Sequence, residues 1–195
     1  MIEVYAQNLE DMWFTVAMSK RDIHASSFGT SQQIAIKNVL INIPFNLPFQ
    51  IFQEATAEAK QVLAHIKCIY EGKDVKSNLS LATTRLPAYT RKVLKATSSI
   101  PLGYVTSYGA IAKCVGGGPR AVGNIMASNP FAPIVPCHRV VRSDLSLGGY
   151  GFGLKSKMEL LVREKRGFPK PKEIEVNGGC LDVFPVELVL RNFPP

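Results

Sequence analysis

The chain has 195 residues, 46% of them hydrophobic, so it can bury a core in one domain or in two small ones. No apolar run reaches about 18 residues, and the N-terminus is acidic, which argues against a membrane span and a secretory signal peptide. Its four cysteines form no CxxC pair, which argues against a disulfide scaffold or a zinc ribbon. We expect a soluble, cytoplasmic protein (nuclear in a eukaryote) with reduced thiols.

The net charge of +8 is distributed unevenly along the chain. Residues 85–172 carry 15 lysines and arginines against three acidic residues, whereas the remainder carries eight basic and 12 acidic residues. Basic patches raise the local concentration of phosphates and bind polyanions in a salt-dependent way. Residues 85–172 are therefore a candidate nucleic-acid surface, the alternative being an ordinary solvated face.

The first part of the chain predicts a small strand-containing α/β module. Alternating and β-branched residues indicate a hairpin, and apolar periodicity indicates two helices, the first capped by Thr30 or Ser31. His65 and Cys68 lie one turn apart, but an apolar helix face accommodates both without a metal, so we predict none. The predicted strands are Met12–Met18 and Ile23–Phe28, and the predicted helices are Gln32–Ile41 and Phe52–Tyr70.

Residues 72–85 are polar and are the best candidate for a linker. We therefore place an N-terminal domain at 1–84, a second domain at 85–168 and a C-terminal tail without a recognisable pattern at 169–195. The predicted fold is α+β with two small domains, the second mostly helical with a helix-turn-helix and an active-site loop.

The second domain opens with a helix that starts after Pro87 and ends near residues 100–103. Thr106 or Ser107 is a plausible cap for the next helix, which stops at three glycines, 116–118. Pro119 then begins another helix that runs to Ser128. Two short helices joined by a glycine turn have the dimensions of a helix-turn-helix, although many such pairs bind no DNA.

A single thiol follows, in a short apolar segment rich in proline at residues 128–141. Pro130, Pro133 and Pro136 exclude a helix interior and favour extended backbone, so Cys137 is expected in a fixed, non-helical conformation. In extended backbone the side chains of Cys137 and His138 point to opposite faces, so we expect a relay through water rather than a direct bond. The alternative is that Cys137 is a small core residue.

Downstream, the glycine-rich residues 148–153 predict either a wall that approaches a ligand closely or a plain turn. A helix over Lys155–Arg166 follows, with Met158, Leu161 and Val162 inward. Glu164 lies in its last turn, where the helix dipole disfavours an acid, which hints at a partner.

These motifs resemble those of the methylated-DNA-protein-cysteine methyltransferases, also called 6-O-alkylguanine-DNA alkyltransferases. The resemblance covers roughly residues 89–167 and follows six pieces in order: VTSY at 105–108, RAVG at 120–123, NP at 129–130, PCHRV at 136–140, GGY at 148–150 and an LLxxE ending at Glu164. The chain departs from the family pattern at Ser128, where glycine is frequent, and at Gly151, where serine is usual.

The resemblance implies DNA repair without a cofactor, by an irreversible, single-turnover transfer of an alkyl group from the position-6 oxygen of guanine to the protein. It implies that Cys137 accepts the alkyl group, that His138 takes its proton through a water and that Glu164 orients His138. Tyr108 would donate a hydrogen bond to a ring nitrogen of the departing guanine, and Asn129 would act as the hinge of the nucleophile loop.

The resemblance also implies a monomer that binds the minor groove of duplex DNA. Arg120 would fill the space left by a rotated nucleotide, and the small residues Ala121 and Ala127 would allow close approach to the minor groove. Ser107 would be a further DNA-binding residue. The substrate pocket would include Pro136, Val140, Tyr150 and Gly151. Two other hypotheses remain open: a DNA-binding protein that recognises alkylguanine without repairing it, and a cysteine hydrolase, whose distant histidine would have to be His24 or His65.

Overall fold

The computed structural model describes residues 1–75, 78–176, 178–191 and 193. These residues form two compact units, one of residues 1–85 with 130–134 and one of residues 86–129 with 135–195. Each unit contains helices and one sheet, so the predicted α+β class is confirmed. Within the described ranges, no helix is long and apolar enough to cross a membrane.

The first unit is built on a five-stranded sheet in the order β4-β1-β2-β3-β5. The predicted hairpin is present as β2 and β3, which pair antiparallel. Two helices join the sheet: α1 is capped by Ser31 and α2 by Thr56. The elements are β1 (Ile2–Leu9), β2 (Met12–Ser19), β3 (Asp22–Gly29), α1 (Gln32–Leu40), β4 (Phe49–Phe52), α2 (Ala57–Tyr70) and β5 (Ser80–Leu81).

Two predicted boundaries in this unit are wrong. The helix expected from Phe52 begins only at Ala57, because Phe52 ends β4, which pairs in parallel with β1. The expected linker contains β5, which pairs with the start of β3, and a 3-10 turn at Thr83–Arg85. Backbone hydrogen bonding to a sheet edge therefore orders part of a segment whose composition indicated only polarity. Lys76 and Ser77 of that segment lie outside the described residues.

Helices dominate the first half of the second unit, as predicted. Pro87 precedes α3 (Ala88–Ser98), and β6 (Tyr104–Ser107) leads directly into α4 (Tyr108–Val115), whose cap is the Ser107 hydroxyl. The glycine turn at 116–118 then leads to α5 (Pro119–Ala127), with proline at its first position. Glycine is required at position 117, because its φ is 95° and a Cβ there would lie 2.4 Å from the Tyr89 hydroxyl.

The tail, which carried no recognisable pattern, completes the sheet of the second unit. The remaining elements are β7 (Val140–Val141), α6 (Leu154–Arg163), β8 (Lys172–Val176), β9 (Gly179–Pro185) and α7 (Val186–Leu190). Strand β9 pairs with both β6 and β8, giving the order β7-β6-β9-β8. Val186 and Val189 of α7 join a buried cluster with residues of β6, β7 and α6: Val105, Val141 and Leu161.

We predict that strand β9 of the tail contributes measurably to the free energy of unfolding. Leu181 of β9 is fully buried, so Leu181→Ala removes apolar contacts and leaves a cavity. We expect the free energy of unfolding, measured with urea, to fall by about 2–5 kcal/mol. Asp182→Ala on the same strand is the control, since its side chain is exposed and should change stability by less than about 0.5 kcal/mol. Equal effects of the two substitutions would contradict this packing.

Candidate active site

Cys137 begins a single 3-10 turn that covers Cys137–Arg139. The expectation of extended backbone at this point is therefore wrong. Pro136 has φ −79° and ψ 65°, which turns the chain, and the Arg139 amide donates to the Pro136 carbonyl over 2.9 Å. The prolines still exclude a longer helix, but the turn does not send successive side chains to opposite faces as a strand does.

The Cys137 thiol is almost completely buried, with 5% of the residue exposed, yet it contributes to the wall of a cavity of about 860 Å³. Four parts of the second unit line this cavity: the start of α4, one face of α5, the segment from Cys137 to Arg142 and the glycine-rich loop before α6. The lining residues are Tyr108, Pro119, Arg120, Gly123, Met126, Ala127, Cys137, Arg142, Gly148, Gly149, Tyr150 and Gly151. A ligand that enters beside α5 can therefore reach the sulfur.

Next to the thiol, His138 and Arg139 share one buried carboxylate. Nε2 of His138 lies 2.8 Å from Oε1 of Glu164, and Arg139 donates to both carboxylate oxygens, over 2.8 Å from Nε and 2.9 Å from Nη2. His138 and Glu164 are essentially inaccessible to solvent. The partner that the position of Glu164 hinted at is thus a histidine-arginine pair.

The protonation states follow from this network. Burial alone would raise the pKa of Glu164, but the positive charges and hydrogen bonds of its partners lower it to about 2. Burial lowers the pKa of His138, although Glu164 opposes the shift, so the imidazole is neutral near pH 7. The positively charged partner of Glu164 at this pH is therefore Arg139. Because an ionised carboxylate only accepts, Nε2 carries the proton and Nδ1 holds the lone pair.

Nδ1 of His138 is buried and makes no hydrogen bond to any residue that the structure describes. It is therefore the ring atom that can accept a proton. Burial raises the pKa of the Cys137 thiol, whereas a hydrogen bond from Asn129 and the charge of Lys157 lower it. Since the net direction is upward, the thiol keeps its proton at rest, and a nearby base is needed to remove it.

Asn129 ties the end of α5 to the segment that carries the thiol. Its side-chain amide donates to the Val135 carbonyl over 2.9 Å, and it also hydrogen-bonds Cys137. Asparagine often ends a helix in a left-handed conformation, but Asn129 does not: among the described residues other than glycine, positive φ occurs only at Glu10, Lys20 and Leu145. The side chain, rather than an unusual backbone, makes the link.

Tyr108 faces the glycine wall of the cavity. Burial, and the nearby Cys137, raise the pKa of its hydroxyl, so it remains a hydrogen-bond donor at neutral pH. Gly148 has φ 66°, and a Cβ there would lie 3.0 Å from the Tyr108 oxygen. Glycine at this position therefore lets the wall approach the tyrosine, which agrees with the ligand-wall reading of residues 148–153 rather than with a plain turn.

The predicted DNA-binding residues lie on or beside the two helices. Arg120 and Ala127 line the cavity, whereas Ala121 is exposed on α5 outside the lining and Ser107 caps α4 by accepting from the Ala110 amide over 3.0 Å. Among the predicted pocket residues, Tyr150 and Gly151 belong to the lining.

Pro136 and Val140 do not line the cavity, although both were predicted as pocket residues. Both side chains are buried, one on each side of the Cys137–Arg139 turn. The cavity surface is instead supplied by the glycine-rich loop and by α5.

Sequence reasoning missed Lys157, which is fully buried on α6. The inward face was expected at Met158, Leu161 and Val162, but Val162 is 53% exposed. The buried face instead runs through Lys157, Leu160, Leu161 and Glu164. A basic and an acidic residue seven positions apart, with leucines between them, are the signal that could have located this face.

Comparison with known proteins finds similarity over the part of the chain that carries this site. Residues 88–166 match the model of the 6-O-methylguanine DNA methyltransferase DNA-binding domain. Over these residues, the chain is similar to the 6-O-methylguanine DNA methyltransferases. The match spans α3 to α6 and so contains Cys137, the helix pair and Glu164.

Individual relatives are similar over the same part of the chain. A methylated-DNA–protein-cysteine methyltransferase of Methanothermobacter thermautotrophicus is 41% identical over 106 residues, which cover 54% of this chain and 60% of the relative. The aligned part thus spans less than two thirds of that relative's length.

Solved structures share the fold over a longer range. An O6-methylguanine-DNA methyltransferase of Pyrococcus kodakaraensis superposes with a TM-score of 0.66 at 24% identity, covering 84% of this chain and 99% of that one. The OGT protein of Mycobacterium tuberculosis in complex with DNA has a TM-score of 0.65 at 26% identity, covering 84% and 92% of the two chains.

The low pKa of Glu164 predicts how stability depends on pH. The folded pKa of about 2 lies below the ordinary 4.5, so the stabilisation is fully present above about pH 4.5 and is lost as the pH falls through about 2. We expect the free energy of unfolding, measured with urea from pH 6 to pH 2.5, to fall less steeply in Glu164→Gln than in the unmodified protein. Glu159→Gln on the same helix is the control, and an unchanged slope in Glu164→Gln would contradict the network.

Proposed function

We propose that this protein repairs alkylated DNA by moving an alkyl group from the position-6 oxygen of guanine to the sulfur of Cys137. The observation that carries the proposal is a thiol in the wall of a cavity beside α5, next to a neutral histidine held by a buried carboxylate. The names of the relatives support the same reaction. Each molecule acts once, because the thioether product has no route back to the thiol.

The chemistry divides between two groups. Nδ1 of His138, acting through a water, takes the proton from Cys137, and the resulting thiolate attacks the alkyl carbon. A carbon–sulfur bond forms as the carbon–oxygen bond breaks, and the electron pair stays on the guanine. A hydrogen bond from the Tyr108 hydroxyl to a ring nitrogen stabilises the departing guanine while its charge develops.

DNA is the partner of α4 and α5 in this proposal. The structure of the similar Mycobacterium tuberculosis OGT is a complex with DNA, and Arg120 at the start of α5 lines the cavity that holds the thiol. A base in duplex DNA cannot reach an almost buried sulfur, so the nucleotide must rotate out of the stack. Arg120 fills the vacated space, Ala121 and Ala127 allow α5 to approach the minor groove, and Ser107 lies at the start of the helix pair.

The substrate range depends on the wall around Tyr150 and Gly151. A Cβ at Gly151 would meet no atom within 4 Å, so the cavity is open at the position where the family usually has serine. Backbone amides are then the hydrogen-bond donors left at this position. We propose that the protein acts as a monomer in the cytoplasm, or in the nucleus of a eukaryote.

Direct measurement of the transferred group tests the proposed reaction. Duplex DNA with an isotopically labelled O6-methylguanine should place one label per protein molecule on Cys137, located by peptide mass spectrometry, with no second turnover. Cys137→Ser should accept none, and Cys180→Ser, which replaces an exposed cysteine, should be fully active. Catalytic turnover, label at another residue, or binding without transfer would contradict the proposal.

Base rotation predicts a selective defect in Arg120→Ala. The rate of alkyl transfer from duplex DNA should fall by about tenfold more than the rate with the free O6-methylguanine base. Only the duplex substrate requires unstacking of the base, which costs a few kcal/mol. Lys60→Ala removes an exposed charge from α2 and should affect neither substrate. Equal losses with duplex and free base would assign Arg120 a structural role instead.

A further inference from the structure

Lys157 is a buried cation that the proposed reaction leaves unused. The residue has no solvent-exposed surface, and no carboxylate of the described residues forms an ion pair with it. Its ammonium donates to three backbone carbonyls, those of Val140 over 2.6 Å, Leu147 over 2.5 Å and Gly149 over 3.2 Å. Three donors thus meet three acceptors, which satisfies every N–H of a protonated lysine.

The three carbonyls belong to two segments that form the cavity. Val140 directly follows the Cys137–Arg139 turn, while Leu147 and Gly149 flank Gly148 in the glycine wall opposite Tyr108. One ammonium therefore holds the segment after the nucleophile and the wall of the pocket at a fixed separation. A neutral amine, or a side chain without donors, would leave buried carbonyls unpaired, which is unfavourable because those carbonyls have also lost their hydrogen bonds to water.

Hydrogen bonds to carbonyls do not neutralise the positive charge, and an uncompensated charge in the interior is unfavourable. Burial lowers the pKa of Lys157 to about 8, and the charge of Cys137 opposes this shift. In return, the charge of Lys157 lowers the pKa of the thiol. Among the described residues, the other charged or titratable groups near the pair include Tyr108 from α4, His138 from the nucleophile turn and Arg142 of the cavity lining. None of these three carries a negative charge near pH 7.

We propose that Lys157 is a positioning residue for the nucleophile: its ammonium fixes the glycine wall to the segment after Cys137 and supplies the counter-charge of the Cys137 thiolate. The charge is in place before the thiol ionises, so the thiolate forms opposite a cation that needs no movement to meet it. When the sulfur is alkylated the negative charge disappears, and with it the charge that opposes the effect of burial on the pKa of Lys157. The inference rests on the proposed function for the identity of the alkyl donor, but not for the ionisation of the thiol.

The reactivity of Cys137 toward iodoacetamide tests the counter-charge without any guanine. Lys157→Met keeps the length of the side chain and removes its charge. We expect the pH midpoint of Cys137 carboxamidomethylation, followed by peptide mass spectrometry, to rise by about one unit, so that the reaction is about tenfold slower at neutral pH. Lys155→Met, which removes an exposed lysine from the same helix, should keep the midpoint of the unmodified protein.

A measurement on the unmodified sequence covers the case in which Lys157→Met does not fold. The Lys157 side chain, labelled with carbon-13 at Cε, is titrated by NMR before and after Cys137 is capped with methyl methanethiosulfonate. The cap removes the thiolate, so the ammonium should titrate at a lower pH in the capped protein.

Each outcome decides the proposal. It is overturned if folded Lys157→Met and Lys155→Met share one pH midpoint, or if capping leaves the Lys157 titration unchanged. A shifted midpoint in a protein that takes no label from alkylated DNA would refute the repair function and keep the role of Lys157. Normal repair together with an unshifted midpoint would refute the role of Lys157 and keep the repair function.

Discussion

The site depends on one buried carboxylate, that of Glu164, which two neighbouring residues share. A buried carboxylate with a single partner would be costly, but Glu164 receives a bidentate guanidinium from Arg139 and the Nε2–H of His138. Arg139 also donates to the Ile100 carbonyl over 2.6 Å, which leaves little of its hydrogen-bonding capacity unmet. Removal of His138, Arg139 or Glu164 would leave a buried charge or polar group without its partner. Because the network is complete, the imidazole is held in one orientation and one tautomer.

The 3-10 turn is what allows consecutive residues to meet the same carboxylate. In a strand, His138 and Arg139 would project to opposite faces. A tight turn after Pro136 instead brings both toward α6, while the preceding residue, Cys137, contributes to the cavity wall. The proline-rich segment thus supplies a fixed backbone, as its composition suggested, but the geometry that matters is a bend.

Helix α6 serves the site from a single face. Glu164 just beyond its C-terminal end holds the imidazole, and Lys157 two turns earlier holds the cavity wall. The leucines between them, Leu160 and Leu161, are fully buried. Their packing in the core fixes the position of the helix relative to the thiol. It follows that the positive charge of residues 85–172 overstates the basic surface, because Lys157 and most of Arg139 lie inside the protein.

The sequence alone predicted the class of fold, the helix pair with its glycine turn and the candidate thiol, because these depend on local rules and on a short motif. The pairing of His138 with Glu164 was predicted through the resemblance to a known family. The tertiary structure decided what distant segments supply: strand β9 of the tail beside β6, the shared use of Glu164 by Arg139, and Lys157 against three carbonyls. Such contacts could not be predicted, since a charged side chain in a sequence carries no sign of which distant groups it will meet. Only packing, which removes water and offers specific partners, makes that choice.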